Sequence, residues 1–374
     1  MNKICEINKC TACRACVAKC PVNAIYMAED ALEREIAVID DKKCIHCNLC
    51  VNVCPNNKKL EFHTPLKCLA MRTKDENIKM VCSSGGIAST FGKYIVLNEK
   101  GVYFGAKKFP VCIVGCKNEK EVLECSGSKY TESSTNDSYF EVKEYLENGE
   151  KVVYVGTPCQ CAGLLSYLGR DYETLVTVDL VCHGVPPKRY LQDYLKDISK
   201  KCAIENVSFR NGQNFRLEIK NMNDVVWSSD SFFDPYYNLF FEGTTFRENC
   251  FECKYARKER ISDFTIGDFW GIDKETLQYE YDGNISLCFI NTNKGQVFFD
   301  KIKELFVYEE REVEEAVLGN EQLCHAFKKD ENLRSRFEKS CVRKGSRFAI
   351  MTSKFGKEMI KHNLRVKIKQ VLHI

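Results

Sequence analysis

The chain is 374 residues long, 44% apolar and 29% charged; at ~100–200 residues per domain this predicts about two to three domains with room for a sizeable core. A formal net charge of +3 argues against a surface that coats nucleic acid, and no run approaches the ~18 apolar residues of a membrane span. The outlier is cysteine, 23 residues behind a start, MNKICEINKC, that lacks an apolar secretory core; this predicts a cytoplasmic setting with reduced thiols and metal ligation in place of disulfides.

The predicted elements begin with a repeat. Cys10-x-x-Cys13-x-x-Cys16-x-x-x-Cys20-Pro21 recurs as Cys44-x-x-Cys47-x-x-Cys50-x-x-x-Cys54-Pro55, 34 residues later. With this spacing three cysteines wrap a tight loop around one 4Fe-4S cubane, and the fourth reaches across to the other cluster after a short helical turn. The expected ligand sets are Cys10, Cys13, Cys16 and Cys54 for one cluster, and Cys44, Cys47, Cys50 and Cys20 for the second. Tetrahedral zinc is the alternative for C-x-x-C pairs, although zinc knuckles rarely show this spacing twice with a closing proline. That proline fixes the turn without adding a competing amide donor. At these residues the chain resembles the bacterial two-cluster ferredoxins, which implies a small α+β ferredoxin-like domain over 1–60. Cys5 falls outside the repeat and reads as a packing cysteine.

Residues 61–75, rich in lysine and carrying Pro65, read as a linker, and a larger α/β domain with a mainly parallel or mixed sheet is expected over 76–335. It opens on Cys82-Ser83-Ser84-Gly85-Gly86 ahead of a predicted helix over 91–97. Paired serines and glycines at a helix start offer backbone N–H groups to a cofactor phosphate, or simply cap the helix. Short β-rich segments follow at 102–106 and 111–114, then a helix at 139–146. The continuous apolar run 152–156 predicts a buried parallel strand; it ends in Gly156-Thr157-Pro158-Cys159-Gln160 and leads into a helix over 161–168. A second strand, 175–181, ends in Cys182-His183-Gly184 ahead of a helix near 190–198. Ligands of open α/β sheets sit beyond the carboxyl ends of strands, so both turns, with Cys159 and Cys182, are expected at one crevice. Cys250-Phe251-Glu252-Cys253 is a redox dithiol, half of a zinc site, or, with Cys159 and Cys182, a complete thiolate set for a third 4Fe-4S cluster.

Ser83-Ser84-Gly85-Gly86, Ser128-Lys129-Tyr130, Gly156-Thr157-Pro158-Cys159-Gln160, Cys182-His183-Gly184, the Cys250/Cys253 pair and Asp263 with Gly267-Asp268-Phe269-Trp270-Gly271 resemble the beta-subunit family of hydrogenases and dehydrogenases that use the deazaflavin coenzyme F420. The resemblance spans about residues 76–330. It implies a flavin-binding domain carrying FAD beside a 4Fe-4S cluster, with Ser84, Gly85, Gly86, Lys129 and Thr157 as FAD contacts and Cys159, Cys182, Cys250 and Cys253 as the third cluster's ligands. Lys129 is otherwise a solvated loop lysine. His183 is a proton donor to reduced flavin or substrate, and hence the catalytic candidate, or a hydrogen-bond donor that tunes the cluster sulfurs. Asp263, Asp268 and Trp270 serve equally well as turn, capping and core residues. The other cysteines, Cys68, Cys82, Cys112, Cys116, Cys125, Cys161, Cys202, Cys288, Cys324 and Cys341, read as small buried hydrophobes, with Cys112, Cys116, Cys125 and Cys161 as competitors for the third ligand set.

The last segment, 336–374, reads as a basic helical tail. Residues 339–374 hold ten Lys or Arg against Glu358 alone, with Ile360, Leu364, Ile368 and Leu372 at four-residue spacing. Such a helix lies on an anionic membrane face, docks a partner, or packs on its own domain. The expected function is an iron–sulfur flavoprotein oxidoreductase: electrons pass between a low-potential donor or acceptor protein, the ferredoxin-type clusters and FAD, and then to or from a small organic substrate or deazaflavin coenzyme. The alternative is a non-catalytic electron-transfer subunit of a larger redox complex.

Overall fold

A computed structural model describes residues 3–212, 214–221 and 224–372. At the amino-terminal side, β1 (Ile25–Glu29) and β2 (Glu35–Ile39) form an antiparallel hairpin, and the short helices Ala15–Lys19 and Leu49–Val53 follow the two cysteine loops. The sequence repeat is also a repeat of backbone geometry. Arg14 and Asn48, equivalent in the two copies, cap these helices from the left-handed region, at φ 62° and 60°.

The larger part is built from β3 (Lys67–Thr73), β4 (Val102–Ala106), β5 (Ile113–Cys116), β6 (Val152–Gly156) and β7 (Leu175–Leu180). A separate antiparallel sheet of β8 (Asn206–Asn211), β9 (Asn214–Asn221) and β10 (Asp224–Asp230) comes next, and β11 (Phe264–Asp268), β12 (Ser286–Ile290) and β13 (Phe306–Arg311) then return to the main sheet. That sheet has eight strands in the order β13–β3–β12–β11–β7–β6–β4–β5. Its middle, β4, β6, β7 and β11, is parallel, while β5, β12, β3 and β13 pair antiparallel with their neighbours. The expected α/β class with a mixed sheet is therefore present. β6 is buried along its whole length, as its continuous apolar run requires.

Three expectations need correction. Residues 61–75 are more than a connection, because Lys67–Thr73 is β3, an interior strand almost wholly buried between β12 and β13. The short strand expected over 111–114 begins two residues later, at Ile113. The basic tail is three helices, Glu331–Lys344, Ser346–Thr352 and Lys354–Leu372, broken at Gly345, whose φ of 83° suits glycine, and at Ser353. Phe337, Cys341, Ala349 and Ile350 pack with Val207, Phe209, Leu217, Tyr236 and Tyr237 against the small sheet, so the first half of this segment is core. Ile360 and Leu364 are exposed; the side chains of Ile368 and Leu372 lie outside the described residues.

Two further cores flank the main sheet. On one face Phe91, from the helix Ile87–Asn98, meets Phe264, Phe298 and Phe306 edge-on. On the other, Cys13, Cys16, Ile25 and Val53 of the ferredoxin-like part pack with Tyr139, Tyr154 and Leu164. The ferredoxin-like part thus shares a core with the α/β part. No described helix is long and apolar enough to cross a membrane.

Candidate functional site

The repeat folds its eight cysteines around two cavities. One is lined by Cys10, Cys13, Cys16 and Cys54, the other by Cys20, Cys44, Cys47 and Cys50, which is the crossed partition that the spacing predicts. Cys5, read as a packing residue, also lines the first cavity, and its thiol shares hydrogen bonds with Cys10 and Cys54 that hold Cys10 down at about 5 and Cys54 at about 7. Among the described residues no three His, Cys, Asp or Glu side chains converge on one ion-sized point. A cubane asks for something else, a ring of thiolates around a space, each bonded to its own iron.

A third cavity, of about 400 Å³, opens beyond the carboxyl ends of β6 and β7. Cys159, Cys182, Cys250 and Cys253 line it together with Thr157, His183 and Arg247. Local sequence explains the placement. Thr157 caps the helix Pro158–Leu168, its N–H donating to Gln160 Oε1 at 3.0 Å, with Pro158 at the first position and Gly169 ending the helix in the left-handed region. This fixes Cys159 in the first turn, with its Sγ 3.2 Å from the Thr157 hydroxyl. Cys161, two residues on, faces away: it is fully buried, with its thiol 3.6 Å from the Val178 carbonyl. The turn Glu248–Cys250 presents Cys250. Burial pushes the thiols of Cys13 and Cys250 up to about 12 and that of Cys159 to about 11. An iron core supplies the positive charge that lets such thiols ionise, so the donor set fits the group.

The cysteines that compete for the third set lie elsewhere. Cys116 and Cys125 are 3.7 Å apart in a buried pair, and Cys112 is buried near them. Cys68, Cys161, Cys288 and Cys341 are buried as expected; Cys82 and Cys202 are only half-buried and Cys324 is exposed, so these three are not core hydrophobes.

The remaining candidates lie along the same edge of the sheet. Ser84–Gly86 sits against Met71 and Ser286, at the ends of β3 and β12 that adjoin this edge. The Gly85 amide donates to Ser286 Oγ at 2.7 Å, and a Cβ on this residue would stand 2.2 Å from the Met71 carbonyl. Its lack of a side chain is therefore required by packing against protein, which corrects the expectation of an open phosphate cradle at this glycine. The Ser83 hydroxyl accepts from the Ser128 amide at 2.9 Å, tying this loop to the one carrying Lys129. Lys129 is no solvated loop lysine. Its ammonium donates to the carbonyls of Cys125 and Ser126, and burial lowers its pKa to about 7. Lys108, just past β4, is held low by the same desolvation.

His183 stands exposed on the wall of the third cavity. Asp263 is a buried acceptor that ties strands together, taking hydrogen bonds from the Thr177 amide and hydroxyl at 2.9 Å and from the Thr292 hydroxyl at 2.7 Å, and Asp268 pairs with Arg210 at 2.7 Å. Sequence reasoning missed Arg247. It lies 2% exposed between the first and third cavities, and nothing in Phe246-Arg247-Glu248 distinguishes it from a surface arginine.

Two cysteine rings on a small α+β unit, packed against an α/β sheet with a third ring at its carboxyl edge, define an iron–sulfur electron-transfer protein. Residues 9–58 match the 4Fe-4S dicluster domain, and residues 149–316 match the family described as the carboxy terminus of the coenzyme F420 hydrogenase/dehydrogenase beta subunit. Residues 149–316 are thus similar to the carboxy-terminal domain of that family's beta subunit, and a dicluster-like segment lies ahead of them in the same chain. A chain in the xenon-derivatised F420-reducing NiFe hydrogenase complex from Methanosarcina barkeri is similar at 17% identity and a TM-score of 0.48, over 75% of this chain and 95% of that one. No curated protein matches the sequence.

Proposed function

We propose that the chain is an oxidoreductase subunit that conducts electrons between a partner redox protein and an organic substrate or deazaflavin-type coenzyme, using three 4Fe-4S clusters and FAD. The observation that carries this reading is the third ring, Cys159, Cys182, Cys250 and Cys253 around one cavity, which is also lined by Thr11 and Asn56 of the ferredoxin-like part. A pair of clusters that ended at the protein surface would need no such ring. Clusters move one electron at a time, and FAD joins such a chain to two-electron chemistry.

FAD is assigned to the edge formed by the Ser83–Gly86 loop, the Ser128–Tyr130 loop and Lys108. Lys108 and Lys129 form no ion pair with a carboxylate among the described residues, and half-buried ammonium groups that desolvation disfavours suit an anionic group beside them. Thr157 belongs to the third cysteine ring by position, with Cys159 as its neighbour. His183 is placed to hold or pass a proton at the cavity wall.

Iron, sulfide and flavin analysis of the anaerobically purified chain tests the reading. Three cubanes predict about twelve irons per chain, with one FAD. Cys159→Ala is expected to lose about four of them, and Cys161→Ala none. About eight irons without flavin in the unaltered chain would reduce the protein to a dicluster carrier.

A further inference from the structure

Arg247 touches both the ferredoxin-like part and the third cavity, and it is buried between them. Its Nη2 donates to the carbonyl of Cys10 at 3.2 Å and to that of Glu35 at 2.7 Å, and Nη1 faces both oxygens of Glu132 at 3.2 and 3.3 Å. Its backbone is equally placed. The Arg247 amide donates to Val185 O, just past Cys182, and its carbonyl accepts from the Cys250 amide at 3.0 Å. The side chain lines the cavity ringed by Cys159, Cys182, Cys250 and Cys253, yet its Nε is buried with no hydrogen-bond partner.

We propose that Arg247 links the inner ferredoxin cluster to the cluster of the third cavity and raises their reduction potentials through its fixed, buried positive charge. The proposal rests on the reading that this cavity holds a cluster. Its physical basis is simple. Reduction adds negative charge, so a fixed cation favours the reduced form. The Cys10 carbonyl, in the chain segment that wraps the inner cluster, is hydrogen-bonded to the same guanidinium, which gives a continuous bonded route between the two rings. Of the nearby carboxylates, Glu132 faces Arg247, whereas Glu35 is paired with Arg14 and Lys188 and Glu248 with Lys329 and Arg334. Glu132 is therefore the counter-ion that moderates the effect.

A purely structural clamp would hold the two parts together without moving a potential, so the test reads potentials. The full chain and its E132Q, R247K and R247Q/E132Q variants are reconstituted anaerobically, their iron and sulfide counted, and their clusters followed by EPR during redox titration. The double variant leaves no buried charge unpaired, which avoids the large penalty of removing Arg247 alone. Relative to the unaltered chain it is expected to shift at least one midpoint potential negative by about 59 mV or more, the equivalent of a tenfold change in a one-electron equilibrium. E132Q shifts in the positive direction, and R247K, which keeps the charge, lies between the double variant and the unaltered chain. Unchanged potentials in E132Q and the double variant at full iron content would overturn the proposal. If the double variant fails to load, E132Q decides alone: a positive shift supports the proposal, and no shift overturns it. About eight irons in the unaltered chain would overturn the third-cluster reading itself, a failure told apart because it needs no variant.

Discussion

Lys129 shows how far a single residue departs from what its local sequence suggests. Ser128-Lys129-Tyr130 has the composition of a solvated loop, and only the fold, which turns the ammonium inward onto two carbonyls, removes it from water. The consequence is a pH dependence whose sign follows from the direction of the shift. Desolvation lowers the Lys129 pKa to about 7, far below its value in an unfolded chain. Its contribution to stability is thus complete in alkaline solution, above the unfolded-chain pKa, and is lost as pH falls toward 7. An anion bound beside it reverses that penalty and takes up a proton. FAD is accordingly expected to bind the flavin-free full chain most tightly below pH 7 and to weaken by up to about tenfold per pH unit above it. Lys129→Met should weaken binding at pH 6 and flatten the profile, as measured by quenching of flavin fluorescence. An unchanged profile in the variant would remove Lys129 from the flavin site. Arg247 was illegible for a different reason, since its role comes from distant segments that carry Cys10 and Glu132, and Cys5 meets Cys54 from the second copy of the repeat as well as its neighbour Cys10.

Elements were legible where the pattern was local. The buried strand at 152–156, the helix behind Thr157-Pro158 and the strand at 175–180 form the parallel unit their apolar runs and caps indicate. β3 was not, because Lys67-Cys68-Leu69-Ala70-Met71-Arg72-Thr73 carries charges at both ends and finds its neighbours, β12 and β13, some 200 residues later; Arg72 is satisfied there by Asp282 at 2.7 Å. The helix Pro158–Leu168 also does something its sequence hides. Gly163 faces the ferredoxin-like part so closely that a Cβ would stand 2.9 Å from Cys13 Cβ and 2.5 Å from Tyr139 Oη. Tyr139 cannot easily yield, since it is fully buried and its hydroxyl donates to the Gln160 carbonyl at 2.7 Å. Replacing a mid-helix glycine by alanine ordinarily stabilises by about 1 kcal/mol. Here overpacking of about 1–3 kcal/mol opposes it. Gly163→Ala should therefore lower the melting temperature of the cluster-loaded chain and perturb the EPR signal of the inner cluster, leaving that of the outer one intact. A raised melting temperature would show that the two parts do not press together at this glycine.

Across the whole molecule, the three rings form a sequence set by burial. Cys13, Cys16 and Cys54 of the inner ring are buried, and residues around them, Thr11 and Asn56, also line the third cavity. The outer ring points the other way: Cys47 is exposed, Cys44 and Cys50 are half-covered, and Ile45 and Leu49 stand open to solvent beside them. None of its four cysteines lines the third cavity. The repeat in the sequence made the two ferredoxin rings look equivalent, because ligand spacing carries no information about what packs on either side. What breaks the symmetry is the shared core, in which Cys13, Cys16 and Cys54 are buried with Tyr139, Tyr154 and Leu164 while Cys20 and Cys50 of the outer ring pack only at its margin. On the proposed reading a partner protein exchanges electrons at the outer ring, and any oxidant meets that ring first, since oxidation of cluster thiolates and sulfides follows access. Brief exposure of the fully loaded chain to air, followed by EPR of the dithionite-reduced sample, is expected to remove the outer cluster first and leave about eight irons as the first stable plateau. Loss of the third cluster ahead of the outer one would mean that its cavity is the open end, and that partner proteins dock at the carboxyl edge of the sheet instead of beside Cys47.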